Sequence, residues 1–336
     1  MATYLGTHGS KIQNYTTNPD NPNQGEVWYN ETANTIVFEG ATTAGSWATG
    51  GSLNTGRRRM SGAGVSSSSA LGFGGDSPGP TFYNNTESYD GTSWTEVNNL
   101  NTARGYAAGS GTQTSALYYG GSTGSMSALT EKWNGTNWTE VGDLNTARYI
   151  LAGAGASNTS ALGFGGASTP PYTIHALTEL YDGSSWTEVN DLNTARQGLA
   201  GWGTATSAIA ATGETAPTRV LNTELWNGTN WTEVNDLNSN RDGAGSAGAD
   251  STSGLIFGGF EQSPVDARIN KTELWNGTNW TEVADLSGTT FGSQAGAGTS
   301  SSAISFGGEG PANQMRTGTE EWTGAGSPLT KTVSTD

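Results

Sequence analysis

The chain has 336 residues, with 51 Gly, 12 Trp, no Cys, and 14 basic against 30 acidic side chains for a formal net charge of -16. That balance opposes nucleic-acid binding, which needs clustered Lys and Arg to displace counterions, and zero Cys excludes disulfides, thiol catalysis and Cys-ligated metals. Abundant Gly with only 13% charged residues points to short strands joined by turns, and the Trp, Tyr and Phe content is too high for a disordered low-complexity chain.

The first residues carry no basic segment followed by an apolar run, so no secretory signal is expected. Nowhere do about 18 apolar residues run together, so no membrane insertion is expected. The stretch GEVWYNETANTIVFEG (25 to 40) alternates around a polar turn and predicts a β-hairpin. Residues 1–45 are therefore expected to form an arm outside the repeats that follow, with Trp28, Tyr29, Ile36 and Phe38 as its docking side chains.

From there the chain repeats. Trp47, Trp94, Trp138, Trp186, Trp231 and Trp280 stand 47, 44, 48, 45 and 49 residues apart, a spacing typical of propeller blades. Ten residues after the first five come Arg57, Arg104, Arg148, Arg196 and Arg241, whereas Thr290 breaks the series. An apolar run closing on glycine follows, such as ALGFGG (70 to 75) or AIAATG (208 to 213), and then a phrase such as TELWNGTNWTEV, spelled identically at 223 to 234 and 272 to 283. The Asn-Gly or Asp-Gly pair inside that phrase signals a hairpin, because the turn needs a positive φ. Each unit thus predicts four strands: one after the Arg, one ending at Gly-Gly, one bearing Tyr or Trp, and one opening with Trp.

This order of Arg, apolar run, Gly-Gly, aromatic and Trp resembles the kelch repeat over residues 46–324. The resemblance implies an all-β fold, a six-bladed kelch-like β-propeller. Because the repeats start on the last strand of a unit (Trp47) and end on the third (TEEWTG, 319 to 324), the N- and C-terminal ends are expected to interlock in the closing blade. Residues 325–336 are left as a tail.

Residues present in every unit are expected to serve the fold. The Trp and the aromatic before it are assigned to packing rather than sugar stacking, and the Gly-Gly pair lacks the Lys and helix of a phosphate loop. The kelch resemblance gives the Arg a structural role bridging neighbouring blades. The carboxylates of TEV and DLN lack the spacing of a calcium loop and are assigned to solvated strand edges. The Asn of the turn sequons is explained by turn chemistry. No metal, cofactor or catalytic group is expected, since His8 and His175 are the only histidines.

Length varies mostly between Gly-Gly and the next Thr-Glu, in loops that would emerge together on one face, opposite the uniform Asn-Gly turns. Specificity is expected on the varied face. Its candidate ligand-binding residues are Phe82, Tyr83, Tyr172, His175, Arg219, Phe260 and Arg268.

The arm hairpin followed by GSW (45 to 47) resembles one near the start of bacteriophage tail-fibre and other virion proteins. With the repeats and the acidity, the chain looks like a structural, capsid-decorating or tail-fibre-type protein of a marine tailed bacteriophage. That resemblance implies no enzymatic activity and a location on the virion. It implies partners among other virion proteins through the arm, host-surface glycan on the varied face, and room for a homo-oligomer. Two alternatives stand beside it: a polysaccharide-degrading propeller enzyme and a general kelch-type interaction module.

Overall fold

The structure is a computed structural model that describes residues 12–19, 27–41, 44–79, 81–262, 267–288, 292–325 and 328–333. The chain divides into two units, one of Met1–Gly45 with Gly324–Asp336 and one of Ser46–Thr323. His8 lies outside the described residues.

The smaller unit is a four-stranded sheet. Val27–Asn30 and Thr35–Ala41 form the hairpin expected from the sequence, Gln13–Tyr15 adds in parallel on one side, and Pro328–Val333 adds antiparallel on the other. Residues set apart as a C-terminal tail thus supply a strand to the sheet of the N-terminal arm.

The larger unit is all-β and propeller-like. Among its described residues, four-stranded antiparallel sheets repeat along the chain. Sheet one comprises Ser61–Ser66, Ser69–Phe73, Thr86–Tyr89 and Trp94–Val97. Sheet two comprises Ala108–Thr112, Ser115–Tyr119, Thr130–Trp133 and Trp138–Glu140. Sheet three comprises Ala152–Ser157, Ser160–Phe164, Thr178–Tyr181 and Trp186–Val189. Sheet four comprises Ala200–Thr204, Ser207–Ala211, Thr223–Trp226 and Trp231–Val234. Sheet five comprises Gly245–Asp250, Ser253–Phe257, Thr272–Trp275 and Trp280–Val283. Sheet six takes Ala295–Gly298, Ser302–Phe306 and Thr319–Thr323 from one end of the unit and Ser46–Thr49 from the other, with Trp322 opposite Trp47.

Burial follows the position of a strand within its sheet. The second strands are apolar runs buried on both faces, as strands covered on both sides must be. The fourth strands bury little beyond their leading Trp and expose the following Thr and Glu. The third and fourth strands are joined by the expected turn. Asn134 accepts backbone hydrogen bonds from Thr136 and Asn137 at 2.9 Å each, and Gly135 takes φ 94°.

Neighbouring sheets are tied by the repeated Trp. Its indole Nε1 donates to the Thr that opens the third strand of the preceding sheet: Trp138 to Thr86, Trp186 to Thr130, Trp231 to Thr178, Trp280 to Thr223 and Trp47 to Thr272, at 3.0 to 3.1 Å. Trp94 of sheet one donates to Thr319 of sheet six at 2.9 Å, so the first sheet is bound to the last in the same way. The indole also packs on the aromatic ending the second strand of that preceding sheet, as Trp138 does on Phe73 (5.0 Å between centroids) and Trp231 on Phe164 (4.9 Å).

Sheet four breaks the pattern and repairs it. Its second strand ends in Ala211 rather than Phe or Tyr, and Trp202 from its first strand meets Trp280 edge-on at 6.0 Å instead. Room for that larger ring comes from sheet five. A Cβ built on Gly248 would stand 2.0 Å from the Trp202 indole, and one on Gly254 2.3 Å from it.

Candidate functional site: the mouth of the central channel

The repeated arginines are wholly buried, and each is held inside one sheet. Arg57 donates to the carbonyls of Gly74 (3.0 Å) and Asn85 (2.7 Å) and pairs with Glu87 at 2.8 Å. Arg148 does the same with Gly165 (2.9 Å), Leu177 (2.8 Å) and Glu179 (2.8 Å). The expectation that they bridge neighbouring blades is corrected here: each sits in the link from one sheet to the next and fastens that link to the strands of the sheet it enters. A planar fork of donors can serve two carbonyls and a carboxylate at once, which an ammonium cannot do with fixed geometry. Burial holds the guanidinium pKa of Arg57 and Arg148 below the ordinary value against the pull of these glutamates.

The acidic residues of the repeat are occupied too. The second oxygen of the same glutamate accepts from the Asn of the link, as Glu87 does from the Asn54 backbone at 2.7 Å. In DLN, Asp143 accepts from the backbone of Thr130 and Asp191 from that of Thr178, both at 3.0 Å. These aspartates therefore hold strand ends together rather than merely edging them. Among the described residues no cluster of three or more His, Asp or Glu has the geometry to hold a metal ion.

Two residues beyond each of the five arginines, and at Ser293 in the sixth unit, the backbone does something the sequence does not announce. Arg59, Tyr106, Ile150, Gly198, Gly243 and Ser293 all take the left-handed conformation, with φ between 52° and 63°. The N–H of each donates to the carbonyl of the one before: Tyr106 to Arg59, Ile150 to Tyr106, Gly198 to Ile150, Gly243 to Gly198 and Ser293 to Gly243. Arg59 in turn donates to Ser293, and all six bonds lie at 2.8 to 3.0 Å. Glycine adopts this conformation freely, but a side chain there costs about 1 kcal/mol or more, and a β-branched residue such as Ile150 is rarely found in it.

This ring frames a cavity of about 240 Å3 at the mouth of a channel whose walls are the Ala-, Gly- and Ser-rich first strands. The cavity is lined by Arg59, Tyr106, Ile150, Leu199, Asp242, Phe260 and Gln294, among others. Around it, the residue after the Arg pairs with the residue after Gly-Gly, as in Arg58 with Asp76 and Asp242 with Phe260, and in the sixth unit, which lacks the Arg, Gly292 pairs with Glu309.

The rim is a belt of alternating charge. Arg58 lies between Asp76, at 3.2 Å, and Glu309. Arg59 reaches Asp76 at 3.1 Å and lies 4.4 Å over the Tyr106 ring. Arg268 pairs with Glu309 at 3.2 Å and lies 5.2 Å over Phe260, while Arg219 pairs with Asp242. Burial pushes the Asp76 carboxyl up, against the lowering pull of Arg59 and Arg58.

Of the candidates taken from sequence, Arg219, Phe260 and Arg268 come together on this rim. Phe82 and Tyr83 do not line the cavity; Phe82 pairs through its backbone with Asp76, and the Tyr83 N–H donates to Gly75 at 2.9 Å. Tyr172, half exposed, and His175 belong to the sheet-three loop and do not line the cavity. His175 Nε2 lies 2.7 Å from Ser168 Oγ, and burial, reinforced by Arg148, lowers its pKa.

In the arm, Trp28 is fully buried and donates to Asn18 at 3.2 Å, so it serves its own sheet rather than a docking surface. Tyr29 and Ile36 are partly exposed, and the Phe38 side chain lies outside the described residues.

Sequence reading missed Arg59, Tyr106, Ile150, Asp242 and Gln294. For the first four the signal was available in the positions just after the repeated Arg, where RRRM, RGYA, RYIL, RQGL and RDGA differ while their surroundings hold constant; Gln294 lies in the sixth unit, which has no such Arg. No protein-family model matches this chain, and no curated protein matches it.

Proposed function

We propose that the chain is a non-enzymatic structural protein of a virion, a closed six-bladed kelch-like propeller whose arm, residues 1–45, docks to neighbouring virion proteins while the varied face points outward and adheres to host-surface glycan. The blade count and closure are supported by the Trp–Thr bonds that link sheet six to sheet one as they link the others. A display role is carried by one observation above the rest. At the ring, six positions share one backbone conformation and one hydrogen-bond pattern, yet five residue types occupy them. The fold requires the backbone there and leaves the side chains free for recognition. The virion location rests on the resemblance of the arm hairpin to those of phage tail-fibre proteins, and many copies on one particle would turn weak single contacts into firm attachment.

Cryo-EM of purified particles carrying this protein tests the reading. It expects density on capsid or tail with residues 1–45 against a neighbour; absence from the particle would overturn it.

A second reading, a polysaccharide-degrading enzyme, has one observation in its favour: two buried carboxylates, Asp76 and Glu309, share Arg58 beside the channel mouth. Release of reducing ends from a polysaccharide panel, abolished by Asp76→Asn, would favour it.

A further inference from the structure

Five turns among the described residues join a third strand to a fourth, and they open on two different residues. Asp90 and Asp182 open them in sheets one and three, and Asn134, Asn227 and Asn276 in sheets two, four and five, each followed by Gly. The backbone does not distinguish the two kinds. In all five the leading N–H donates to the carbonyl three residues on at 3.2 to 3.3 Å, and the Gly takes φ between 91° and 100°.

Neither do the side-chain bonds. Oδ1 of Asp90 accepts from the backbone N–H groups of Thr92 and Ser93, and Oδ1 of Asp182 from those of Ser184 and Ser185, at 2.8 Å each. Oδ1 of Asn134, Asn227 and Asn276 accepts from the same two positions at 2.9 to 3.0 Å. Two N–H groups aimed at one oxygen favour negative charge on it. They hold both aspartate carboxyls below the ordinary value, with the Ser184 hydroxyl helping to bring Asp182 to about 2.

In the Asn turns the same donors polarise an amide carbonyl, and a nucleophile stands next to it. Among the described residues, no group accepts from the N–H of Gly135, Gly228 or Gly277. Glycine also brings no side chain to block its nitrogen from the neighbouring Cγ. All three Asn are exposed, so water reaches them.

We propose that Asn134, Asn227 and Asn276 are sites of self-modification, each converting to Asp in the folded protein. The Gly nitrogen loses its proton to water or hydroxide and bonds to Asn Cγ. The charge that gathers on Oδ1 falls on the two N–H groups already bonded to it, an oxyanion hole made by the turn. Nδ2 takes up a proton and leaves as ammonia, closing a succinimide. Water then adds at Cγ, the Cγ–N bond breaks, and the main chain is restored with a carboxylate on the side chain. Opening at the other carbonyl would route the chain through Cβ and misplace both donors, so the folded turn favours Asp. The product fits, since Asp90 and Asp182 already occupy the same turn. Conversion at all three sites adds three negative charges to a chain already at -16. None of this depends on the virion reading.

Peptide mapping of the full chain, aged in mildly alkaline buffer and fragmented by electron transfer to tell Asp from its β-linked isomer, tests the proposal. A gain of one mass unit is expected at each of the three sites, mainly as Asp. No gain is expected at Asn137, Asn230 or Asn279, which share these turns but precede a buried Trp. A parallel sample unfolded in guanidinium chloride should give a mixture of the two isomers. No conversion in the folded chain over the time in which the unfolded chain converts would show that the turn protects its amide, and would overturn the proposal. A folded chain yielding mainly the β-linked isomer would overturn it too. Asn134→Asp, the product made directly, is expected to melt at the temperature of the parent chain; a clear loss would show that the turn does not accept the carboxylate and would contradict the favoured route.

Discussion

Two positions in each repeat, only two residues apart, answer to opposite demands. At the first stands Arg57, Arg104, Arg148, Arg196 or Arg241, the same residue in five units, wholly buried and fastened to a glutamate of its own sheet. At the second stand Arg59, Tyr106, Ile150, Gly198 and Gly243, with Ser293 in the sixth unit, on one shared backbone conformation. The first position is fixed by what its side chain bonds to, and the second by what its N–H and carbonyl bond to. A fold can therefore hold a surface to close tolerance while leaving its chemistry open, provided backbone groups do the holding.

The contrast can be broken most forcefully at the buried pair. Arg148→Met leaves Glu179 buried with its charge uncompensated and is expected to cost about 3 to 5 kcal/mol in urea unfolding, whereas Arg148→Met with Glu179→Leu should recover much of the loss. Next in size is the repair in sheet four. Gly254→Ala drives a methyl into the Trp202 indole and is expected to cost about 1 to 3 kcal/mol, while Gly254→Ala combined with Trp202→Phe should cost less than the sum of the two single changes.

At the ring the effects should be smaller. Ile150→Gly removes a side chain from a left-handed position and is expected to change stability by no more than about 1 kcal/mol in either direction. Gly198→Val, the opposite change, should lose about 1 to 2 kcal/mol. If Ile150→Gly costs as much as Arg148→Met, the two positions are not under different demands.

The smallest effect belongs to His175. Its folded pKa is lowered by burial and by Arg148, so the folded state favours the neutral ring. The corresponding stability is present above the unfolded pKa of about 6.5 and is lost as pH falls through the lower folded value. Thermal unfolding followed from pH 7 downward should show a shallower decline in His175→Gln than in the parent chain.

Much of the repeat was legible because it is written in side chains. The Trp-to-Arg spacing, the Gly-Gly pair and the Asn-Gly turns each mark a position where one residue type is needed, and the strands Thr223–Trp226 and Trp231–Val234 fall where those marks place them. The ring escaped notice because a left-handed residue is normally announced by Gly or Asn, and here only Gly198 and Gly243 announce it. Arg59, Tyr106, Ile150 and Ser293 look like ordinary loop variation until the bonds between distant units are seen. Candidates chosen from the varied loops reached the site only in part, through Arg219, Phe260 and Arg268. Trp28 was misjudged for a related reason: an apolar residue on a short hairpin reads as a docking group when its partner, Asn18, lies in a stretch with no pattern of its own.

The most direct test is native-state hydrogen exchange at the backbone amides of Arg59, Tyr106, Ile150, Gly198, Gly243 and Ser293, resolved by NMR in the full chain. Because each amide donates to the preceding unit around the ring, all six should exchange slowly and with similar protection, close to that of the buried second strands. Fast exchange at any of them, at the rate of the exposed Asn-Gly turns, would show the ring open at that point and contradict the claim that backbone bonds alone hold the mouth in shape.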